Sequence, residues 1–273
     1  MENKYKIGIV ILNYNNYNET FHCVKSLEKL NIREYHLVIV DNGSSNNSYQ
    51  ILTKEYSLDK RITVISSGYN RGFAQGNNCG IKYLRTHFAV DFVLLLNSDT
   101  IVVDPLYVDK LVSSYHDDVG VIEANVWDRK GLFAQPSYYI PSFKSALYMF
   151  LKAFLEYIHV KVPFVYTDRK HKAYLCQVGC AIMLTPSYFL TYDGLYSKTF
   201  LYGEEHILLH MLAKAGLRLS FVDDTYLIHN EGGSTDYEIL EGTRKKEKKV
   251  IIGYWNVLVA SMHGLKALVK AAK

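Results

Sequence analysis

Long apolar runs closed abruptly by polar residues punctuate the first part of the chain. Ile7-Gly8-Ile9-Val10-Ile11-Leu12 ends in Asn13-Tyr14-Asn15-Asn16, His36-Leu37-Val38-Ile39-Val40 ends in Asp41, and Phe92-Val93-Leu94-Leu95-Leu96 ends in Asn97-Ser98-Asp99. Runs of this kind, rich in β-branched residues, predict strands buried on both faces. Between the first two, Phe21, Val24, Leu27 and Leu30 recur every third residue, which predicts a helix with one apolar face, capped by Asn18. A second helical stretch and a third strand over 62–65 follow. Strand, helix, strand, helix in this order predicts an α/β domain with a mostly parallel central sheet and right-handed crossovers. Taken alone, Asn97-Ser98-Asp99 reads equally as an ordinary polar turn or as a carboxylate delivered to the sheet edge, where open α/β sheets bind ligands.

Farther along, 105–115 predicts a short helix and 119–122 a strand, after which 128–172 shows no clean alternation, as in a substrate-shaping insertion. Within it Phe143, Leu147, Phe150, Leu151, Phe154, Tyr157 and Ile158 form a helical stripe beside Lys144, Lys152 and Lys161, which suits a core helix or a surface that meets a membrane or an acceptor. Next come a strand over 179–184, a helix start at Pro186, and a helix over 207–215 stopped by Gly216. Glu204 and Glu205 stand just ahead of that last helix, where the macrodipole favours acids in any case. The final strand, 219–222, leads through Asp223-Asp224 to His229 and a Gly232-Gly233 loop. The tail joins the basic run Arg244-Lys245-Lys246-Glu247-Lys248-Lys249 to a stripe of Ile251, Tyr254, Trp255, Leu258, Met262, Leu265 and Val269. That combination predicts an amphipathic C-terminal helix, packed on the domain or a second subunit, or lying on an anionic membrane.

Composition narrows the classes. With 273 residues, 49% hydrophobic and 21% charged, the chain can build a sizeable core, and neither disorder nor a fibrous architecture fits. A net charge of +4 with no dense basic stripe argues against a nucleic-acid partner. The 23 tyrosines suit stacking on bases or sugars, or half-buried packing. No apolar secretory core follows the N-terminus, and no stretch reaches the roughly 18 apolar residues of a spanning helix. Cys23, Cys79, Cys176 and Cys180 are therefore expected as reduced thiols of a cytoplasmic protein, and the Cys176/Cys180 spacing lacks the partner pair of a metal site. Three glycines and three asparagines between Asn70 and Ile81 predict a loop in which backbone approaches a ligand closely and N–H groups face an anion or a polar ring. It lacks the Gly-Lys-Ser/Thr ending of a P-loop and does not follow the first strand, as a dinucleotide fingerprint would.

In order along the chain, Val10 to Asn16, Val40-Asp41-Asn42-Gly43-Ser44, Asn70-Arg71-Gly72-Phe73 to Asn77, Leu95-Leu96-Asn97-Ser98-Asp99, and Tyr202-Gly203-Glu204-Glu205 with His229 resemble the motifs of the family 2 glycosyltransferases. The glycine- and asparagine-rich loop is most similar to that of bacterial rhamnosyltransferase-type members. The resemblance implies a single Rossmann-like domain of the type A nucleotide-diphospho-sugar transferase fold. Residues 1–125 would form its nucleotide-sugar-binding half, 126–235 its acceptor-binding and catalytic half, and 236–273 a basic linker with the C-terminal helix.

It further implies an inverting transferase that moves a sugar from a nucleoside-diphosphate donor, such as dTDP-rhamnose or a UDP-hexose, to a growing surface polysaccharide or lipid-linked oligosaccharide. Asn13 and Asp41 would hold the nucleotide, Asn70, Gly72 and Asn77 would wrap the nucleoside and diphosphate, and Asn97 and Ser98 would complete the donor site. Asp99 and His229 would ligate Mn2+ or Mg2+, and Glu205 would be the general base. Asn97 departs from the family pattern by replacing the first acid of the metal motif, and Glu205 stands where Asp is commoner. Peripheral membrane contact and a homo-oligomer complete the expected partners, at the inner face of the cell membrane. The missing acid also suits an alternative, a non-catalytic nucleotide-sugar-binding or assembly subunit. A nucleotidyltransferase fits poorly, because the basic glycine-rich loop after the first strand is missing.

Overall fold

The computed structural model describes residues 5–32, 34–132, 137–160, 173–175, 179–230 and 243–273. Four parallel strands, β1 (Ile7–Asn13), β2 (Tyr35–Asp41), β3 (Ile62–Ser66) and β4 (Phe92–Asn97), form one side of a mixed sheet in the order β3-β2-β1-β4. The helices between them are α1 (Tyr17–Leu27), α2 (Ser48–Glu55) and α3 (Gly72–His87). The helix cap is Asn16, whose side chain accepts from the Glu19 N–H, two residues ahead of the cap expected from the sequence.

Beyond β4 the order continues through β9 (Ala181–Leu184), β6 (Val119–Asp128), β10 (Arg218–His229) and β5 (Thr100–Val102). β9 runs antiparallel to both β4 and β6, so β6 points the same way as β4, and β10 lies parallel to β6. The helix expected over 105–115 forms as α4 (Tyr107–Ser113). β7 (Ser137–Tyr139) and β8 (Ala173–Leu175) make a separate two-stranded ribbon. What reads as two segments around Asp223-Asp224 is one strand: the register of β10 against β6 slips between Val222 and Tyr226. The bulge is held from outside, where Thr225 donates to Asp104 and Lys110 bridges Asp104 and Asp224.

This topology fixes where chemistry can occur. β1, β2, β4, β6 and β10 share a direction, so Asn13, Asp41, Asn97, Asp128 and His229 all end strands at one edge of the sheet. The core lies on both faces. Ile7, Ile9 and Ile11 pack on one side with Leu94 and Leu96, and Val10, Val93 and Leu95 on the other with α3 and α7 (Glu204–Ala215). Several tyrosines are core residues: Tyr188 and Tyr192 are buried, and their hydroxyls donate to the Gly194 and Met211 carbonyls.

The stripe expected over 143–158 forms α5 (Phe143–Tyr157), and Pro186 opens the short α6 (Pro186–Phe189). The tail forms two helices, α8 (Thr243–Ser261) and α9 (Leu265–Ala271), and the basic run lies inside α8 instead of in a linker ahead of it. Both helices pack on the domain, burying Gly253, Val257, Leu258, Ala260, Leu268 and Ala271. Cys176, Lys161, the Gly232-Gly233 loop and 236–242 lie outside the described residues. Cys23, Cys79 and Cys180 are free thiols, and among the described residues no helix is long and apolar enough to cross a membrane.

Candidate active site

At the C-terminal edge of β1 and β2 a buried polar network ties the loops after these two strands to each other and to α1. Asn13 donates to Asp41 Oδ2 at 2.9 Å and accepts from the Thr20 hydroxyl at 3.0 Å, while Asp41 Oδ1 accepts from the Ser44 N–H at 3.0 Å. Ser44 Oγ in turn accepts from the Asn15 N–H at 2.8 Å. Asn13 and Asp41 are almost fully buried, so in this structure they brace the loops rather than face solvent. Buried polar groups hold position well only when their partners are all in place, and here both carboxylate oxygens are engaged.

One layer outward, Asn42 organises the turn that leads into α3; from Gly72 onward the glycine- and asparagine-rich stretch expected as a loop is helix instead, forming the first turns of α3. Its amide donates to the Gly72 carbonyl and to Asn70 Oδ1, and its oxygen accepts from the Arg71 N–H and the Ser67 hydroxyl. Asn70 Oδ1 also accepts from the Gly72 N–H at 2.9 Å. Two glycines are obligatory here. Gly43 (φ +72°) and Gly72 (φ +77°) are left-handed, and a Cβ would stand 2.3 Å from the Tyr69 carbonyl carbon at the first and 2.2 Å from the Phe200 oxygen at the second. Asn77 is buried and donates to the Phe73 carbonyl, and its Oδ1 has no hydrogen-bond partner among the described residues.

The carboxylate that ends the third apolar run meets an imidazole. β5 pairs antiparallel with β10, setting Thr100 opposite His229, and this brings Asp99 Oδ1 to 3.2 Å from His229 Nε2. Both side chains are largely buried, and the Asp99 carbonyl accepts from the Asn230 N–H. An oxygen donor beside an imidazole nitrogen suits Mn2+ or Mg2+ in chemical type. Among the described residues no third His, Cys, Asp or Glu joins them, which agrees with Asn97 standing in place of an acid. Asn97 is the last residue of β4, and Ser98 alone separates it from Asp99.

Glu204 and Glu205 open α7 behind Gly203, which is left-handed at φ +86°. Glu205 Oε1 accepts from the Gly179 N–H at 3.1 Å. Both acids line a small, partly open cavity, with Phe73, Ala74, Ile182, Leu195 and Leu208 among its walls. Its mostly apolar walls disfavour the ionised forms. Burial, reinforced by the neighbouring Glu205 charge, pushes the Glu204 carboxyl up to about 8, and burial raises Glu205 as well, against the N–H groups that lower it. Glu204 Oε1 has no hydrogen-bond partner among the described residues.

A single dipeptide joins the two clusters. Gly179 donates to Glu205, and the carbonyl of Cys180 accepts from the Asn97 N–H at 2.9 Å. The N-terminus of α3 is joined to the same region, because the Phe73 N–H donates to the Phe200 carbonyl just ahead of α7. Thr20, Asn42, Ser44, Gly179 and Phe200 receive no role from the sequence. The Asp41-Asn42-Gly43-Ser44 run signals the second and third, but the other three depend on contacts between distant segments.

Comparison with known proteins places the fold and the family. A stretch of 122 residues is 25% identical to Glycosyltransferase GlyG of Streptococcus pneumoniae, covering 45% of this chain and 39% of GlyG. Over 232 residues the chain is 24% identical to the low-salt glycan biosynthesis hexosyltransferase Agl10 of Haloferax volcanii, covering 82% of this chain and 67% of Agl10. Thus the chain spans well under two thirds of GlyG. Among solved structures, GalNAc-T7 with UDP, GalNAc and Mn2+ superposes with a TM-score of 0.61 at 16% identity, covering 85% of this chain and 46% of that one. Residues 1–349 of TarS from S. aureus give 0.55 at 14%, covering 92% and 71%. These likenesses show a type A nucleotide-sugar transferase fold built on the mixed sheet described above. The family model "Glycosyl transferase family 2" matches residues 8–166, more than half of the sequence, and the chain belongs to that family.

Proposed function

We propose that this protein is an inverting, metal-assisted glycosyltransferase. It moves a sugar from a nucleoside-diphosphate donor, dTDP-rhamnose or a UDP-hexose, to a growing cell-surface polysaccharide or a lipid-linked oligosaccharide. The observation that carries the reading is the Gly179-Cys180 link, which fixes the Glu205 carboxylate and the Asn97-Asp99 segment to one short piece of chain. Support for a glycan product comes from GlyG and Agl10, and support for a nucleotide and a divalent cation from the contents of the GalNAc-T7 crystal. In this reading residues 1–125 serve the donor, through Asn13, Asp41, Asn70, Gly72, Asn77, Asn97 and Ser98, and 126–235 serve the acceptor.

Glu205 accepts the proton of the acceptor hydroxyl as that oxygen bonds to the anomeric carbon. The bond from that carbon to the diphosphate breaks on the opposite face, and the electron pair leaves with the phosphate oxygen. A carboxyl whose pKa is raised toward neutrality is a better proton acceptor than an ordinary glutamate, provided the working pH leaves it ionised. Asp99 and His229 would hold the cation, which when bound offsets charge on the departing diphosphate. The braced Asn13-Asp41-Ser44 and Asn42-Asn70-Gly72 networks hold the donor loops still before substrate arrives, so less ordering is left for the reaction itself.

The test is thermal stabilisation by UDP-, dTDP- and GDP-sugars, each with and without Mn2+. A ligand that binds only the folded state raises the melting temperature. A metal-dependent shift confined to one nucleotide is expected, with Glu205→Gln abolishing transfer while that shift survives. Silence across the panel would overturn the Asp41, Asp99 and His229 assignments together. The substitution at Asn97 favours one second reading, a non-catalytic nucleotide-sugar-binding or assembly subunit. Donor binding without turnover on any glycan acceptor would establish that reading instead.

A further inference from the structure

The two stripes that the sequence leaves far apart, on α5 and on α8, are neighbours in the fold. The Phe150 and Trp255 rings meet with centroids 5.3 Å apart. On α5, Phe143, Leu151, Phe154 and Ile158 remain 44 to 48% exposed. At 3.6 residues per turn they fall within an arc of about 80°, directly beside Phe150. On α8 the buried side carries Gly253, Val257, Leu258 and Ala260. Its outward arc, about 100° wide by the same geometry, carries Arg244, Lys245, Lys248, Ile252 and Trp255, with Ile252 and Trp255 about half exposed. The arcs meet at the Phe150–Trp255 contact. The combined face therefore presents exposed aliphatic and aromatic side chains next to three cations, Arg244, Lys245 and Lys248.

We propose that this α5–α8 face docks on an anionic lipid surface, with Trp255 at the level of the headgroups and the α8 cations against lipid phosphates. The chemistry fits one occupant better than others. Apolar side chains beside lysines and arginines match a bilayer interface, where acyl chains take the first and anionic headgroups the second. A second copy bound through the same patch about a two-fold axis would return the α8 cations to a face that holds few acids. The face is also placed for use: α8 packs on α7, where Val257 lies under Gly203 immediately before Glu204 and Glu205. Docking there would set the acid-bearing end of α7 close to a membrane-borne acceptor. This consequence rests on the proposed transfer reaction, whereas the docking itself does not.

Flotation of the full chain with vesicles of phosphatidylcholine, with and without phosphatidylglycerol, tests the proposal. The chain has two tryptophans, so Trp127→Phe leaves Trp255 as the sole reporter of insertion. Binding only to the phosphatidylglycerol vesicles is expected, with a blue shift of Trp255 emission and release by salt. Neutralising Arg244 and Lys248 together as Arg244→Gln and Lys248→Gln should weaken partitioning about 30-fold, at about 1 kcal/mol per basic residue. Ile252→Ser should weaken it without changing its salt dependence. Failure of the unaltered chain to bind, or equal binding to uncharged vesicles, would overturn the proposal. So would a concentration-dependent dimer in solution that Ile252→Ser abolishes, since the face would then belong to a second copy. A nucleotide-sugar thermal shift measured on the same samples reports the donor site independently, so loss of docking and loss of the transferase reading are distinguishable.

Discussion

Gly72→Ala separates backbone strain from steric contact at the start of α3. At φ +77° alanine is left-handed, which costs about 1–2 kcal/mol by itself. Its Cβ would also stand 2.2 Å from the Phe200 oxygen and 2.7 Å from the Phe200 carbonyl carbon. The obstacle is backbone and cannot rotate away, so the Phe200 carbonyl must move and release the Phe73 N–H that it accepts at 2.9 Å. A donor stranded in that way costs about 1–3 kcal/mol, bringing the whole effect to about 2–5 kcal/mol. Gly68 is the control: it is left-handed at φ +85°, but nothing lies within 4 Å of an added Cβ, so alanine there bears only the first contribution. Urea denaturation of the two variants beside the parent should show Gly72→Ala losing at least about 1 kcal/mol more than Gly68→Ala. Only Gly72→Ala should also weaken the donor-induced thermal shift. Equal losses would refute the reasoning, because φ strain would then be the whole effect and the Phe200 contact would bear no load.

The remaining predictions address the charged and polar clusters. Glu204 ionises near its ordinary value of 4.5 when unfolded but only at about 8 when folded, so the folded chain retains a proton that the unfolded chain has lost. Stability should therefore fall as pH rises between about 4.5 and 8, and melting curves across that range should be flatter for Glu204→Gln. Catalysis has the opposite slope: Glu205 must be ionised to accept a proton, so kcat/KM should rise with pH through its raised pKa, and a profile flat from acid to neutral pH would count against Glu205 as base. His229→Ala should remove the Mn2+-dependent part of the donor thermal shift while leaving any metal-independent part, and chelation of the parent should mimic it; an unchanged metal response would exclude the Asp99–His229 pair. Thr20→Val removes the hydroxyl that satisfies buried Asn13 Oδ1, and it should cost about 1–3 kcal/mol in denaturant with a fall of about 2–4 °C in Tm per kcal/mol.

What the sequence discloses and what it hides follow from the range of the interactions. The runs at Ile7, His36 and Phe92 announce buried parallel strands because burial on both faces is written in consecutive residues. The stripe of α5 is legible because 3.6-residue spacing is local too. The cap moves from Asn18 to Asn16 because several asparagines sit in one turn and only backbone geometry chooses among them. β10 reads as broken at Asp223-Asp224 because polar residues ordinarily end strands, whereas here a bulge turns them outward, Asp224 to Lys110 and Thr225 to Asp104. The site shows the same division. Asn13, Asp41, Asp99 and His229 end strands or flank their ends and can be listed from the sequence by their position. The partners that hold them, such as Thr20 on Asn13 and Gly179 on Glu205, come from segments 7 and 26 residues away, and no local pattern links them.

The antiparallel seat of β9 has a consequence for synthesis. Val93 to Leu96 pair on one side with Leu184 to Ala181, so β4, whose first five residues are all apolar and buried, lacks that neighbour until more than eighty further residues have been made. At about 5–20 residues per second that interval is on the order of ten seconds. During it the nascent chain carries an unpaired edge of phenylalanine, valine and leucines, the sort of edge that recruits strands from other chains. The sheet begun by β1 to β4 is therefore incomplete while the rest of the chain is made, and the exposure of that edge lasts until the four-residue β9 arrives to cover it.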